Sequence, residues 1–123
     1  MSEPSIFTRI LNGDIPGEIL LDTGRVFAIR DINPQAPLHA LVVPKTEDYR
    51  DVTELAQGDP GLLAEMVAAA KQLAAEHANG EYRLIFNNGA SAAQSVFHVH
   101  AHVLADIEAV SYTHLTLPTI LLV

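Results

Sequence analysis

The sequence predicts an α+β fold in which one long and one short helix pack on an antiparallel five-stranded sheet. Three observations predict it. Short apolar segments alternate with turns that contain Gly, Pro or Asn, as the strands of an antiparallel sheet do. An alanine-rich segment after Asp59-Pro60 carries apolar residues at helical spacing. In residues 97–103, histidines alternate with apolar residues, which is the two-residue period of a strand.

The first elements are a short helix and a hairpin. Ser5 is the N-cap candidate for a helix over Ile6–Leu11, and Asn12-Gly13 is expected to end it. Two apolar segments, Glu18–Asp22 and Val26–Arg30, flank a Thr-Gly turn and are predicted to pair with each other.

A loop and a third strand follow the hairpin. Asp31–Pro37 is predicted to be a loop because its two prolines fix φ and remove backbone donors. The third strand is predicted over His39–Val43 and ends at Pro44. A turn of helix is expected near Val52–Ala56.

The long helix is the most clearly marked element. Asp59 is its N-cap, a proline occupies its first position, and Asn79-Gly80 follows its expected end at about Ala78. Its apolar residues recur at helical spacing: Leu62, Leu63, Met66, Val67, Ala70 and Leu73. The alanine-rich remainder would allow a second helix to approach closely, as in an oligomer. A single-sided amphipathic helix on a sheet explains the pattern nearly as well.

The last two strands enclose a loop of small residues. They are predicted over Tyr82–Phe86 and Ser95–Leu104, with the loop at Asn87–Gln94 between them. Along the fifth strand, His98, His100 and His102 project from one face at intervals of about 6.6–6.8 Å.

Three interpretations of the histidine row compete. His-x-His on a strand is an established zinc geometry. Alternatively, one imidazole acts as a nucleophile on phosphorus while the others handle protons. The third interpretation is structural. Residues 84–104 contain no carboxylate, which disfavours the metal, whereas the small residues before Ser95 let backbone N–H groups approach a phosphate. Asn87 and Gln94 add neutral donors, so the sequence favours phosphate chemistry.

The composition narrows the function further. The chain has 123 residues, 49% of them apolar, which suffices for one domain with a single core. A net charge of −8 argues against a nucleic-acid-binding face but not against a mononucleotide. The absence of cysteine excludes disulfides and favours a reducing cytoplasm. We expect neither a signal peptide nor a membrane-spanning segment, since no apolar stretch approaches about 20 residues.

The segment Gln94–Val103 resembles the signature of the histidine triad (HIT) nucleotide hydrolases and transferases, in which three histidines alternate with apolar residues. Phe86–Gly89, Asp31–His39 and Ile6-Phe7 are similar to the Hint branch of that family. The resemblance covers roughly Ile6 to Leu104. It implies a HIT-like fold, and we assign a HIT-like domain to residues 1–109.

The resemblance also implies roles around the phosphate. His100 would attack the α-phosphorus and form a nucleotidyl-histidine, while His98 orients it and stabilises charge. His102 would contact the phosphate and assist the leaving group. The remaining contacts to phosphate or leaving group would come from Ser95, Gln94 and Asn87.

For the nucleoside, the resemblance implies a second group of residues. Asp31 would accept the ribose hydroxyls, although a turn cap is an equally good interpretation of this residue alone. His39 would be a supporting histidine on the neighbouring strand. The purine would lie between apolar side chains, for which periodicity alone predicts a plain core role: Ile6, Phe7, Ile10, Ile29 and Ile32.

These features predict a hydrolase of purine nucleoside phosphoramidates that uses no metal or cofactor. A homodimer is expected through the Asp59–Ala78 helix and the Tyr82–Phe86 strand. The alternatives are a dinucleoside polyphosphate hydrolase of the same superfamily, a nucleotide-binding adaptor with incidental activity, and a zinc protein.

The sequence differs from the family pattern at two places, and its last segment resembles a non-native sequence. Ala105–Glu108 stands where the Hint branch has glycines and an aromatic-containing tail, and Glu47 stands where a histidine is frequent. We expect no catalytic consequence from Glu47. Residues 110–119 resemble one reading frame of a common sequencing adapter, so we interpret residues 110–123 as a non-native tail in which His114 has no role. A native β-rich C-terminus is the alternative.

Overall fold

The computed structural model describes residues 3–107, and its five-stranded antiparallel sheet confirms the α+β prediction. The strands are β1 (Ile19–Asp22), β2 (Val26–Arg30), β3 (Leu38–Pro44), β4 (Arg83–Ile85) and β5 (Ala101–Ala105). Their order in the sheet is β1-β2-β3-β5-β4, which places β3 at the centre. Within the described residues, no helix is long and apolar enough to cross a membrane. The tail assigned to residues 110–123 lies outside the described residues.

Three α-helices accompany the sheet, one more than predicted. They are α1 (Ile6–Leu11), α2 (Val52–Gly58) and α3 (Pro60–His77). The turn of helix expected near Val52 is thus a helix of its own, because Asp51 caps it by accepting from the backbone N–H of Glu54.

The other two helices begin and end as predicted. Ser5 accepts from the N–H of Thr8 at the start of α1, and Asp59 accepts from the N–H of Leu62 at the start of α3. Beyond α3, the N–H of Gly80 bonds the carbonyl of Ala74, with φ at +94°. That conformation suits glycine, so it explains why the helix ends there.

The central strands are covered on both faces, and the two faces have different occupants. On one face, the buried side of α3 packs on alternate strand residues to form the main core. That core includes Leu62, Met66, Ala70, Leu73, Val26, Val42 and Val103. The opposite face carries a smaller cluster under α1: Phe7, Phe27, Ile29, Leu41 and Val43. Because strand side chains alternate, the histidines lie on this second face, away from α3.

The predicted fifth strand is too long at its N-terminal end. It was expected over Ser95–Leu104, but the ladder with β3 begins at Ala101, opposite Val42. Continuing the ladder toward Ser95 would bring the chain opposite Pro44, which has no N–H to donate. The N–H of Val99 instead bonds the carbonyl of Tyr49, outside the sheet. Side-chain alternation nevertheless persists through this segment, since Val99 is in the main core and His98 and His100 are on the other face.

The packing of α3 predicts a graded response to truncation. Leu73 is fully buried between α3 and the sheet, so Leu73→Ala leaves a cavity and should lower the free energy of unfolding by about 2–5 kcal/mol. Val67, on the same helix, is 38% exposed, and Val67→Ala should change it by less than about 0.5 kcal/mol. Urea titration measures both. Equal losses at the two positions would contradict this assignment of the core.

Candidate active site

The histidines form a continuous row of rings that begins at α1. The Phe7 ring lies 5.8 Å from that of His98 and 4.8 Å from that of His100, measured between centroids. The row continues to His102 at 5.4 Å and from there to His39, on the neighbouring strand, at 5.2 Å. All four histidines are buried. The predicted juxtaposition of the three triad histidines and His39 is therefore present, although His102 is the one triad histidine that belongs to the strand ladder.

One hydrogen bond defines the state of the middle ring. Nδ1 of His100 lies 2.8 Å from the main-chain oxygen of His98. A carbonyl only accepts, so Nδ1 carries the proton in the neutral ring and Nε2 carries the lone pair. Of the two ring nitrogens of His100, Nε2 is therefore the basic one.

The His98 ring is held from both sides. Its Nε2 donates to the main-chain oxygen of Pro44 at 2.7 Å, so its Nδ1 accepts from the hydroxyl of Ser5 at 2.5 Å. Burial is the main cause that lowers the pKa of His98 below its ordinary value, while the Pro44 carbonyl and the charge of Glu47 act in the opposite direction. The ring is therefore neutral at pH 7, with its tautomer fixed.

A relay through His39 fixes the tautomer of the third triad ring. The backbone N–H of Gln35 donates to Nδ1 of His39 at 3.0 Å, so the proton of this ring lies on Nε2. That Nε2 lies 2.9 Å from Nδ1 of His102 and donates to it. The proton of a neutral His102 is consequently on Nε2.

Asp31 closes the relay. One of its carboxylate oxygens lies 3.3 Å from Nε2 of His39, and the other accepts from the backbone N–H of Asn33. Burial lowers the pKa of His39, and the negative charge of Asp31 partly offsets this effect. The turn-cap interpretation of Asp31 is thus correct, and the residue also faces the histidines. Sequence reasoning found no carboxylate near the triad because it considered only residues 84–104.

Among residues 3–107, one group of side chains has the composition of a metal site: Asp31, His39 and His102. Ligand atoms of Asp31, His39 and His102 lie within 4.8 Å of one another. Nδ1 of His39 already accepts a hydrogen bond, so Nε2 would have to lose its proton and the ring become an imidazolate to bind an ion there. The donor pattern fits a proton relay better than a metal.

An apolar cleft of about 730 Å³ opens beside the row. Every residue predicted to contact the purine lines it: Ile6, Phe7, Ile10, Ile29 and Ile32. Asp31 and Ser95 line the cleft as well. Phe7 connects the cleft to the histidines, because it lines the cleft and its ring packs against those of His98 and His100. Ile32 is 87% exposed, which places it at the rim.

The loop before the triad is held by main-chain and side-chain hydrogen bonds. Gly89 has a φ of +100° and Ala93 a φ of +74°, and a short 3₁₀ turn lies between them. The Gln94 amide donates to the carbonyls of Arg50 and Val96 and accepts from the N–H of Gly89. Both of its amide hydrogens are used in this way, so we assign Gln94 to holding the loop.

Two other loop residues, Ser95 and Asn87, are also predicted to contact the phosphate. Ser95 is exposed on the cleft side of the loop, and Asn87 is half-buried just after β4. Their contacts to phosphate stay predictions.

Comparison with known proteins agrees with this geometry. Residues 12–109 match the HIT domain. The chain is 38% identical to the 14 kDa zinc-binding protein of Zea mays, over 82% of this chain and 80% of that protein. It is 33% identical to adenylylsulfatase HINT1 of Arabidopsis thaliana, over 82% and 70% of the two chains. A HIT family hydrolase from Clostridium thermocellum superposes with a TM-score of 0.77 at 38% identity, covering 85% of this chain and 91% of that one.

The matched domain spans most of the chain, the fold agrees with that of a solved relative, and the three histidines lie in a row on one sheet face. The chain belongs to the histidine triad (HIT) family, whose members include nucleotide hydrolases.

Proposed function

We propose that the protein hydrolyses purine nucleoside phosphoramidates through a covalent nucleotide on Nε2 of His100. The observation that carries the proposal is the 2.8 Å hydrogen bond from Nδ1 of His100 to the main-chain oxygen of His98. This bond leaves the lone pair on Nε2, as a neutral nucleophile requires. Membership of a family that contains nucleotide hydrolases supports the general reaction class.

In the first step, Nε2 of His100 forms a bond to the α-phosphorus and the P–N bond to the leaving amine breaks. The Nε2 proton of His102 passes to the amine, which leaves neutral, and solvent water returns a proton to Nε2 so that the ring does not remain an imidazolate. His39 stabilises His102 in the tautomer that holds this proton, since it donates to Nδ1. Splitting the reaction through a covalent intermediate lowers the barrier of each part.

In the second step, water attacks the same phosphorus and the bond to His100 breaks. The proton of that water is released to solvent, which balances the proton taken up in the first step, so both rings have their starting tautomers when AMP is released. The buried site strengthens the electrostatic stabilisation of the phosphate charge by fixed donors. We assign one such donor to the exposed hydroxyl of Ser95.

The cleft supports a purine substrate. An apolar space of about 730 Å³ lined by isoleucine side chains and Phe7 suits a base, and its charged lining residues are Arg30 and Asp31. The Asp31 carboxylate at its side suits two ribose hydroxyls, because an ionised carboxylate only accepts hydrogen bonds.

We propose that two copies assemble through α3 and β4, and that the enzyme acts in the cytoplasm. β4 is the last strand of the sheet order, so one side of it has no partner strand within the described residues. Such an edge is suited to pairing with a second copy.

The nucleophile assignment predicts a clean separation of turnover from binding. His100→Ala should reduce turnover of an adenosine phosphoramidate by at least about 10³-fold, because the covalent route is lost. AMP affinity, measured by calorimetry, should change by less than about threefold because the cleft is untouched. The exposed His77 on α3 provides the control, and His77→Ala should leave turnover unchanged. A His100→Ala protein with normal turnover would end the proposal.

The covalent intermediate is directly observable. Intact-mass analysis after mixing with the phosphoramidate and an acid-free quench should show protein carrying one nucleotide, with the label mapped to His100. A label on another residue would contradict the assigned nucleophile.

Substrate comparison separates the alternatives. Turnover of a diadenosine polyphosphate above that of the phosphoramidate would favour the polyphosphate hydrolase. Adenylyl sulfate belongs in the same series, since the Arabidopsis relative is named an adenylylsulfatase. Tight AMP binding with negligible turnover of every substrate would favour an adaptor. The maize relative is named a zinc-binding protein, and loss of activity after exhaustive chelation would favour that function.

Stability should fall as pH falls below the ordinary histidine pKa of 6.5. Burial lowers the folded-state pKa of His98 and His39, so the unfolded chain binds protons first and gains stability relative to the fold. The urea midpoint should therefore be lower at about pH 5.5 than at about pH 7.5. His39→Gln should reduce the difference and His77→Gln should not. Equal midpoints at both pH values in the wild type would contradict neutral, buried rings.

A further inference from the structure

The serine that caps α1 also contacts the triad. Ser5 Oγ lies 2.5 Å from Nδ1 of His98, although the two residues are 93 positions apart in the sequence. The other ring nitrogen of His98 donates to the Pro44 carbonyl, so Nδ1 carries no proton and the Ser5 hydroxyl is the donor. Ser5 thereby stabilises the one tautomer of His98 that also satisfies Pro44.

Glu47 holds this serine from outside. One oxygen of its carboxylate accepts from the backbone N–H of Ser5 at 3.1 Å, and the other accepts from the Thr8 hydroxyl at 2.7 Å. The exposed Glu47 side chain, just after β3, thus forms hydrogen bonds to two residues at the start of α1. Phe7 follows two residues after Ser5, and its ring packs on both His98 and His100.

The segment that contains these histidines depends on such contacts. His98 and His100 lie before Ala101, where the ladder between β3 and β5 begins, so strand pairing does not fix them. The carbonyl that holds Nδ1 of His100 belongs to His98. The two hydrogen bonds of the His98 ring therefore fix the residue whose main chain orients the nucleophile.

We propose that Ser5 is a positioning residue for His98 and, through the His98 carbonyl, for His100, and that Glu47 supports it by anchoring the start of α1. The inference rests on the proposed function for its kinetic consequence, but its structural part is independent of the substrate. It gives Glu47 an indirect role in catalysis, where sequence analysis expected none.

Substitutions at Ser5 separate positioning from helix capping. Ser5→Ala removes both the cap and the donor, whereas Ser5→Gly caps nearly as well as serine and lacks only the hydroxyl. Both should lower kcat about tenfold with KM changed by less than about twofold, since misplacement of a catalytic group affects the chemical step. Ser5→Thr retains cap and hydroxyl and should restore wild-type kcat. Asp51→Ala, which removes the cap of α2, should leave kcat unchanged.

Long-range ¹H–¹⁵N spectra of the histidine rings provide the second readout. In the wild type, His98 should be the Nε2–H tautomer with a hydrogen-bonded Nδ1. Ser5→Ala and Ser5→Gly should keep this tautomer, because Pro44 still accepts from Nε2, but should shift the Nδ1 resonance because its donor is lost. Glu47→Ala should lower kcat by about threefold, and the Ser5→Ala/Glu47→Ala pair should be no slower than Ser5→Ala alone, because both act through one contact. Glu3→Ala is the matched control, since Glu3 contacts only Arg9 among the described residues.

The outcomes distinguish this inference from the proposed function. If wild-type protein does not turn over phosphoramidates, the function fails, while the His98 spectra still test the contact. If wild-type turnover is present and Ser5→Gly keeps both full kcat and the wild-type Nδ1 resonance of His98, the positioning role of Ser5 is wrong. Loss of kcat in Ser5→Ala with full activity in Ser5→Gly would assign the effect to helix capping and also overturn it. Independent, additive effects of Glu47→Ala would remove Glu47 from the network.

Discussion

The hydrogen bond between Nδ1 of His100 and the main-chain oxygen of His98 is the interaction on which this site depends. A neutral imidazole has one proton and one lone pair, so bonding one nitrogen to a carbonyl decides the chemistry of the other. The same logic repeats around it. Pro44 fixes His98, and the Gln35 amide fixes His39, which in turn fixes His102. Each ring receives its tautomer from a backbone group that can only donate or only accept, and His102 receives it indirectly through His39.

The fold makes this arrangement possible because one face of the sheet carries most of the core and the other face carries the histidines. The long helix α3 covers one face with most of the apolar core. The other face is covered by a six-residue helix and a loop, which leave a cleft beside the histidines. Since side chains alternate along each strand, the residue that supports the core and the residue that serves the site are immediate neighbours in the chain. Val99 and His100 are such a pair.

Burial has two consequences for the same side chains. It lowers the pKa of His98 and His39, which keeps their rings neutral and their lone pairs available. It also makes every unpaired ring nitrogen costly, so the site is held by hydrogen bonds to backbone groups, to Ser5 and between histidines. Asp31 moderates the first effect at His39, because its negative charge stabilises the protonated ring.

Much of the fold follows from local signals. The caps at Ser5 and Asp59, the Asn79-Gly80 stop and the strand periodicity are short-range features, so α1, α3 and the hairpin were predicted within a residue or two. The N-terminal limit of β5 was wrong, because it depends on Pro44 of a different strand, and sequence spacing alone does not reveal that pairing. The second short helix was underestimated for a similar reason, since a cap decides whether a turn continues.

The sequence by itself determined the chemistry: three imidazoles at alternate positions, and a loop of small residues before them. Residue type and a two-residue period specify which groups share a face. Only the tertiary structure decided how those groups are protonated. His100 is held by the nearby His98 carbonyl, but the other partners are the carbonyl of Pro44, the hydroxyl of Ser5, the carboxylate of Asp31 and His39, which are remote from the triad in sequence and adjacent only in the folded chain. Proton positions depend on distances of about 3 Å, which the order of residues does not specify.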